Sequence, residues 1–328
     1  MAHAEGSRAM VNKQGPEVGY LALHRSGELR ERMERAYEEL RSCVFCGRAC
    51  GVNRLGDGGE EVGSCGIGSG VKVASHGAHL GEEDPLRGYR GSGTVFFSGC
   101  NLSCQYCQNY DISQYRRGRE VDPEGLAGMM MSLQEQGCHN VNLVSPTHVV
   151  APILKALVIA SGRGLRLPLV WNTGGYDSLE TLGLLDGVVD IYMPDMKYAD
   201  AEVGRRYSKV KDYPEVNQAA VKEMHRQVGD LVMDDQGIAE RGLLVRHLVL
   251  PEGLAGTAAV ANFLVKEVSR HTYANIMDQY RPCYKAGNMP PLDRPVTRAE
   301  FEKALEEARE AGLYRFDQRE ARFLRLFR

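Results

Sequence analysis

Seven of the nine cysteines fall in two tight groups, and these groups are the residues of the chain best suited to chemistry. The shorter group is Cys100, Cys104 and Cys107, spaced by three and two residues directly after a predicted strand. Thiolates at this spacing suit a four-iron, four-sulfur (4Fe–4S) cubane cluster. Three ligands leave one iron open, and an open coordination position can chelate a small molecule. The spacing therefore predicts a catalytic cluster.

A zinc knuckle is the alternative for this loop, with a fourth ligand from elsewhere. Zinc motifs usually pair two Cys-x2-Cys halves, and no second half lies near residues 100–107. An iron–sulfur cluster is therefore favoured. Of the two cysteines outside the groups, Cys138 is expected to be a small buried apolar side chain. The pattern assigns no role to Cys283.

The longer group, Cys43-x2-Cys46-x3-Cys50-x14-Cys65, supplies four thiolates. Clustered cysteines in a reducing compartment indicate metal ligands rather than disulfides. Four ligands form a closed set, which suits either structural zinc or a fully ligated auxiliary iron–sulfur cluster. The glycine-rich residues 51–70 have too few apolar side chains for a core of their own, so a metal would order them. We expect turns and short hairpins there.

From about residue 91, short β-branched or aromatic runs alternate with helical patterns. This alternation is typical of repeated βα units on a parallel sheet. Because parallel α/β barrels build their active sites at the carboxyl ends of the strands, the polar residues that end each run are expected on one rim. The predicted strands are residues 94–98, 141–145, 167–172, 189–193, 243–250 and 275–280, and the predicted helices are residues 123–136, 150–161, 217–230 and 257–269.

Helical patterns flank this region. Residues 26–40 repeat apolar side chains at the spacing of an amphipathic helix, and Thr297 with Glu300 predicts a capping box before a charged C-terminal helix. The apolar face of the first helix is Leu29, Met33, Ala36, Tyr37 and Leu40. We expect three parts: an N-terminal helix and cysteine-rich metal module (residues 1–90), a barrel (91–283) and a C-terminal helical extension (284–328).

Composition excludes some classes of protein. The 328 residues are 43% hydrophobic and 25% charged, enough for a sizeable core. The net charge of −3 argues against a general nucleic-acid binder. No apolar run is long enough to span a membrane. Residues 1–16 are polar and lack the apolar core of a signal peptide, so we expect a cytoplasmic location.

Several segments together resemble one family. They are GTVFFSGCNLSCQYCQNYDIS, VSPTH, NTGGY, DIYMPDMKY and VRHLVLP. The chain resembles the radical S-adenosylmethionine (SAM) superfamily, and within it the uncharacterised homologues of pyruvate formate-lyase activating enzyme. The resemblance implies an α/β fold, an open (β/α)6 TIM-like partial barrel, with a 4Fe–4S cluster whose open iron binds SAM. It also implies an oxidoreductase that reduces SAM to a 5′-deoxyadenosyl radical for hydrogen abstraction.

The resemblance suggests which residues contact SAM. Tyr106 would face the adenine, with a buried structural tyrosine as the alternative. Ser145 and Thr147 would accept from the methionine amino group, because the Gly-Gly-Glu motif of the activating enzymes is missing. Asn172 and Thr173 occupy a family position, and the two glycines that follow would let the backbone approach a ligand, with a simple tight turn as the alternative. Asp195 and Lys197 would address the ribose and the carboxylate, with a plain salt bridge as the alternative. His247 is either a ligand contact or a core residue.

Three functions remain open at this point. The enzyme could activate a glycyl-radical protein, or it could modify a peptide or small molecule, which the missing glutamate motif and the added metal module favour. A non-catalytic metal-binding scaffold is the alternative of another class. Either enzyme would need a one-electron donor such as flavodoxin or ferredoxin. The sequence does not identify the substrate.

Overall fold

A computed structural model describes residues 18–56 and 61–317 of the chain. Its strands form one mixed sheet with seven parallel members. The ten strands of the described residues are β1 (Val71–His79), β2 (Ser92–Phe97), β3 (Arg119–Val121), β4 (Val141–Val144), β5 (Leu169–Thr173), β6 (Ile191–Pro194), β7 (Val232–Met233), β8 (Ala239–Leu248), β9 (Tyr273–Met277) and β10 (Arg315–Phe316). All six predicted strands are confirmed, with ends that differ by a few residues.

The sheet order is β10-β9-β8-β6-β5-β4-β2-β1-β3, with β7 on β8. From β2 to β10 along this order, neighbouring strands run parallel. β1 lies antiparallel to both β2 and β3. The sheet curls without joining its two edge strands, which confirms the open, TIM-like partial barrel.

Helices connect the parallel strands and cover the outside of the sheet. The predicted helices are confirmed, although the last continues from α10 into a π-helical turn, Leu264–Val268. The described helices are α1 (Gly19–Ser26), α2 (Glu28–Glu39), α3 (Asp84–Arg87), α4 (Tyr110–Ser113), α5 (Pro123–Glu135), α6 (Val150–Gly162), α7 (Leu179–Leu185), α8 (Ala201–Ser208), α9 (Tyr213–Val228), α10 (Thr257–Phe263) and α11 (Arg298–Glu310).

Local sequence explains where these helices begin. Asp122 caps α5, accepting the Gly125 N–H at 2.7 Å, and Pro123 follows at the first helical position. Thr297 and Glu300 form the predicted capping box of α11. Helix α6 is apolar on nearly all sides because it lies between the sheet and helices α2 and α5.

The predicted helix over residues 26–40 is confirmed as α2, and a short helix that the sequence did not predict, α1, precedes it. Gly27 takes a left-handed φ of 88° and ends α1, since its N–H bonds to the His24 carbonyl. The predicted apolar face is correct for α2, with Leu29, Ala36 and Leu40 fully buried. This face packs against α6 and α7. No described helix has the length and apolarity to cross a membrane.

Two faces of the strands have different environments. Side chains on the outer face join the main core beneath the helices, among them Trp171, Tyr192 and Val245. Side chains on the inner face form a smaller apolar cluster that includes Val170, Ile191, Met193, Leu244 and Tyr273. Because side chains alternate along a strand, the next inward position of β5, β6 and β8 brings a polar residue to the carboxyl end.

Candidate active site

The loop that carries the three cysteines leaves the carboxyl end of β2 and is fixed by close packing. Gly99 has a φ of 82°, and a Cβ on it would lie 2.9 Å from the Cys65 carbonyl oxygen and 2.7 Å from Ile67 Cγ1. His148 Nε2 donates to the Ser98 carbonyl at 2.9 Å. Only glycine therefore fits at residue 99, and Cys100 follows at a defined place on the rim.

Each thiol of this loop has hydrogen-bond partners, and Cys100 donates to Asn101 Oδ1 at 3.8 Å. The Leu102 N–H donates to Cys100 Sγ at 3.4 Å. The hydroxyls of Ser208 and Ser113 lie 3.0 Å from Cys104 Sγ and 3.1 Å from Cys107 Sγ. Burial and then the neighbouring thiols raise the pKa of Cys100 to about 12. The Cys100 thiol thus holds its proton at neutral pH, and a metal that binds here must displace it.

The donor set fits a thiolate-ligated iron cluster. It consists of three soft ligands in one loop, close enough that Cys104 and Cys107 raise the pKa of Cys100 and Cys107 raises the pKa of Cys104. Within residues 18–56 and 61–317, no three or more His, Cys, Asp or Glu side chains are grouped so that they could hold a metal ion. The fit therefore rests on the chemistry of the thiols and on their surroundings.

A charged cluster stands at the ends of β5, β6 and β8. Asp195 bonds to Lys197 Nζ at 2.6 Å through one oxygen and to Arg246 Nε at 2.9 Å through the other. Arg246 also donates to Asn172 Oδ1 at 2.9 Å. Burial favours the neutral acid, but Arg246 and Lys197 outweigh it and lower the pKa of Asp195. Asp195 is therefore an anion held between two cations.

This charged cluster faces the cysteine loop. Burial raises the pKa of Cys104, but the Lys197 ammonium acts against that effect, so the two side chains are close. A Cβ on Gly174 would lie 2.9 Å from Leu102 Cδ1, which puts the turn after β5 against the same loop. Asn172, Asp195 and Lys197 thus meet beside the thiols, as expected for strand ends.

Thr147 and Thr173 converge on a residue that the sequence reasoning missed. Asp177 is fully buried and accepts from Thr147 at 2.7 Å, Thr173 at 2.6 Å and Trp171 Nε1 at 3.1 Å. Burial raises the pKa of Asp177, although these three donors oppose it. The carboxyl ties the ends of β4 and β5 together. Its position four residues after Thr173 in the same loop was the available signal.

Of the two hydroxyl residues predicted in the loop after β4, Ser145 is the more exposed. It is half-buried with a left-handed φ of 58°, and its N–H donates to the Asn172 carbonyl at 2.8 Å. Backbone of this kind in a residue other than glycine is often found at functional sites. Thr147, by contrast, is 2% exposed. Of the two hydroxyls expected to meet an amino group, Ser145 is the more accessible.

Tyr106 and His247 are occupied by protein partners. Tyr106 is 5% exposed, its hydroxyl lies 2.6 Å from that of Tyr198, and its ring packs edge-on against Tyr280. His247 Nδ1 lies 2.6 Å from the Met196 carbonyl and Nε2 lies 3.0 Å from Thr257 Oγ1. Burial lowers the pKa of His247 to about 4, so its ring is neutral. Their contacts with a cofactor stay predictions.

Arg246, the neighbour of His247, is a site residue that the sequence reasoning did not select. It is Arg246 that reaches Asp195 and Asn172, while His247 faces α10 on the outside of the sheet. A strand side chain points away from its neighbour, so only one of the two could enter the barrel. The signal that would have chosen Arg246 was the acid at the end of β6.

The longer cysteine group lies against the same rim. Cys46 forms an isolated antiparallel bridge with Asp177, and the Arg48 Nε donates to the Asn101 carbonyl at 2.5 Å. The sulfurs of Cys50 and Cys65 lie 3.3 and 3.4 Å from the place of a Cβ on Gly63, so a side chain there would crowd both. The module and the cysteine loop are therefore direct neighbours.

Arg54 links the longer group to the barrel. It is 1% exposed, donates to the carbonyls of Gly68 and His148, and places Nη1 3.4 Å from Cys43 Sγ. In the described part of the chain it has no carboxylate within ion-pair distance. A buried cation is costly without an anion. Thiolates at this group would supply that anion.

Comparison with known proteins agrees with this arrangement. The model of the radical SAM superfamily matches residues 94–233. An uncharacterized protein of Methanocaldococcus jannaschii is 35% identical over 292 residues, which cover 86% of this chain and 78% of that protein.

Solved structures resemble the chain more distantly. One is SuiB of Streptococcus suis bound to its precursor peptide SuiA, with 12% identity and a TM-score of 0.43 over 66% of this chain and 46% of that one. Another is HydG, a maturase of the FeFe-hydrogenase, with 15% identity and a TM-score of 0.44 over 66% and 48%. The chain spans less than half the length of either protein. On the superfamily match and the 35% identity to the M. jannaschii protein, the chain belongs to the radical SAM superfamily.

Proposed function

We propose that this protein is a radical SAM enzyme that holds its 4Fe–4S cluster on Cys100, Cys104 and Cys107. When bound, the cluster and SAM together supply a 5′-deoxyadenosyl radical by one-electron reduction, for hydrogen abstraction from a substrate. The observation that carries the proposal is the position of three thiols in one loop at the carboxyl end of β2, beside a charged cluster from three other strands.

The charged cluster is the proposed binding site for the polar parts of SAM. Lys197 donates one N–H to Asp195, which leaves its ammonium two more N–H donors for a ligand carboxylate. Asp195 stays ionised between its two cations and accepts hydrogen bonds, for which ribose hydroxyls are suitable donors. Arg246 orients Asp195, and Asn172 orients Arg246. Ser145 is the proposed acceptor for the amino group.

The remaining assignments extend this proposal. The module within residues 1–90 is proposed to hold a second metal on Cys43, Cys46, Cys50 and Cys65, either zinc or an auxiliary cluster, and Arg54 supports an anionic centre there. The barrel is assigned to residues 91–283 and the extension to 284–328. The substrate is proposed to be a peptide, a protein or a small molecule, and the electron source a low-potential one-electron donor.

Iron analysis tests the cluster assignment. Protein reconstituted without oxygen should bind about four irons at Cys100, Cys104 and Cys107 and show the paramagnetic signal of a reduced cubane. Changing all three cysteines to alanine should remove this signal. If the triple variant kept the same signal and four irons at this loop, the assignment would be wrong.

A further inference from the structure

A chain of hydroxyl groups ends on one of the three thiols. The Tyr106 hydroxyl lies 2.6 Å from the Tyr198 hydroxyl, which lies 2.7 Å from Ser208 Oγ, which lies 3.0 Å from Cys104 Sγ. All four residues are buried, and Ser208 is 0% exposed. This series of hydrogen-bonded hydroxyls connects α8 and the end of β6 to the cysteine loop through buried polar atoms.

The direction of these hydrogen bonds follows from Cys104, the cluster ligand on which they end. A thiolate bound to iron carries no proton and can only accept a hydrogen bond. Ser208 must then donate to Cys104, which leaves its oxygen to accept from Tyr198, and Tyr198 in turn accepts from Tyr106. Three hydroxyl dipoles thus point the same way, and aligned hydrogen bonds strengthen one another.

A shorter chain ends on a second thiol. Ser113, at the end of α4, places Oγ 3.1 Å from Cys107 Sγ, and Gln114 Nε2 lies 3.3 Å from that same oxygen. By the same reasoning, Ser113 donates to the thiolate and accepts from Gln114. The two serines come from different elements, so two independent donors stabilise the negative charge at two of the three ligands.

We propose that Ser208 and Ser113 are positioning residues that raise the reduction potential of the site cluster. This inference rests on the proposed function, since it requires a cluster on Cys104 and Cys107. Reduction adds one electron to the cluster and makes its thiolates more negative, so a donor to sulfur stabilises the reduced form more than the oxidised one. Hydrogen bonds to the sulfurs are among the factors that set the potentials of such clusters. Burial strengthens the effect because water does not screen it.

Potentiometry followed by electron paramagnetic resonance tests the proposal on the reconstituted holoenzyme. Ser208→Ala and Ser113→Ala should each make the cluster harder to reduce, by roughly tenfold in the reduction equilibrium constant, which is 59 mV for a one-electron couple. Tyr198→Phe removes the second link and should lower the potential by less. Ser113→Thr keeps a hydroxyl and should keep the parent potential.

Tyr207→Phe is the matched control. Tyr207 precedes Ser208, is 1% exposed, and has a hydroxyl without a hydrogen-bond partner among the described residues. Its loss should leave the potential unchanged. If the serine variants shifted only the melting temperature and kept the parent potential, the two serines would be purely structural and the proposal would be overturned. A parent protein without a cluster at this loop would instead refute the proposed function.

Discussion

Asp195 is the residue on which the proposed binding of SAM depends most. Its carboxylate bonds both to Lys197, just after β6, and to Arg246 of β8. Both carboxylate oxygens are used, and the two cations keep the acid ionised. Asp195 has two charged partners at a strand end. Its ion pairs therefore differ from a surface salt bridge, which would be largely exposed.

Removing this carboxylate should weaken SAM binding. Asp195→Ala and Lys197→Ala should each raise the dissociation constant of SAM roughly tenfold or more, because a hydrogen bond to a charged group contributes on the order of 1.5–3 kcal/mol. Iron content should not change. The measurement is a titration of SAM against the anaerobic, cluster-loaded variants.

Glu202→Ala provides the control for this titration. It removes an acid that pairs with Arg205 on an exposed face of α8, and exposed pairs contribute little. SAM affinity should stay at the parent value. Parent affinity in the Asp195 and Lys197 variants as well would mean that these two residues after β6 are structural and that SAM binds elsewhere.

At the scale of elements, the turn after β5 depends on a glycine. Gly175 has a φ of 72°, and a Cβ there would overlap the Asn217 side chain and the Asp195 carbonyl. Asn217 uses that space to donate to the carbonyls of Gly175 and Asp195, at 2.9 Å each. The glycine thus allows α9 to hold the ends of β5 and β6 together.

Gly175→Ala should therefore destabilise the protein by more than about 1 kcal/mol, because both the backbone conformation and the packing oppose a side chain. Gly183→Ala is the matched change. It lies on the exposed side of α7 with no atom within 4 Å of the new Cβ, and should be neutral or stabilising. The melting temperatures of the two variants test this prediction, and equal values would contradict this account of the turn.

The cysteine module is a separate metal-binding element in this account. The Cys100, Cys104 and Cys107 triple alanine variant should retain metal, because Cys43, Cys46, Cys50 and Cys65 form a complete set of four ligands. Metal analysis of that purified variant should find either zinc or iron. A variant without metal, yet with residues 18–56 still ordered, would refute the second site.

At the scale of the whole molecule, the sequence predicted the elements whose positions depend on neighbouring residues alone. The barrel strands β2, β4 and β5 are β-branched runs bounded by polar residues, so their positions and their common rim followed from sequence. β1 was missed because its second half, with Ser75, Gly77 and Ala78, lacks that pattern. Helix α1 was not predicted because it has only eight residues and Gly27 separates it from the amphipathic pattern of α2.

The partners within the site depend on contacts between residues far apart in sequence. Ser208 meets Cys104 across 104 residues and Arg246 meets Asp195 across 51. No periodicity or spacing encodes these pairings, since they arise only when α8, β6 and β8 return to one rim. The sequence could place the thiols and the acid at strand ends, but not the serines and the arginine that surround them.

Cleavage of SAM is the most direct test of the central claim. Reconstituted protein, reduced with dithionite without oxygen, should convert SAM to 5′-deoxyadenosine, and the Cys100, Cys104 and Cys107 triple alanine variant should form none. Cys138→Ala changes a buried cysteine outside both groups and should retain the parent rate. Cleavage by the triple variant at the parent rate would contradict the assignment of the cluster to this loop.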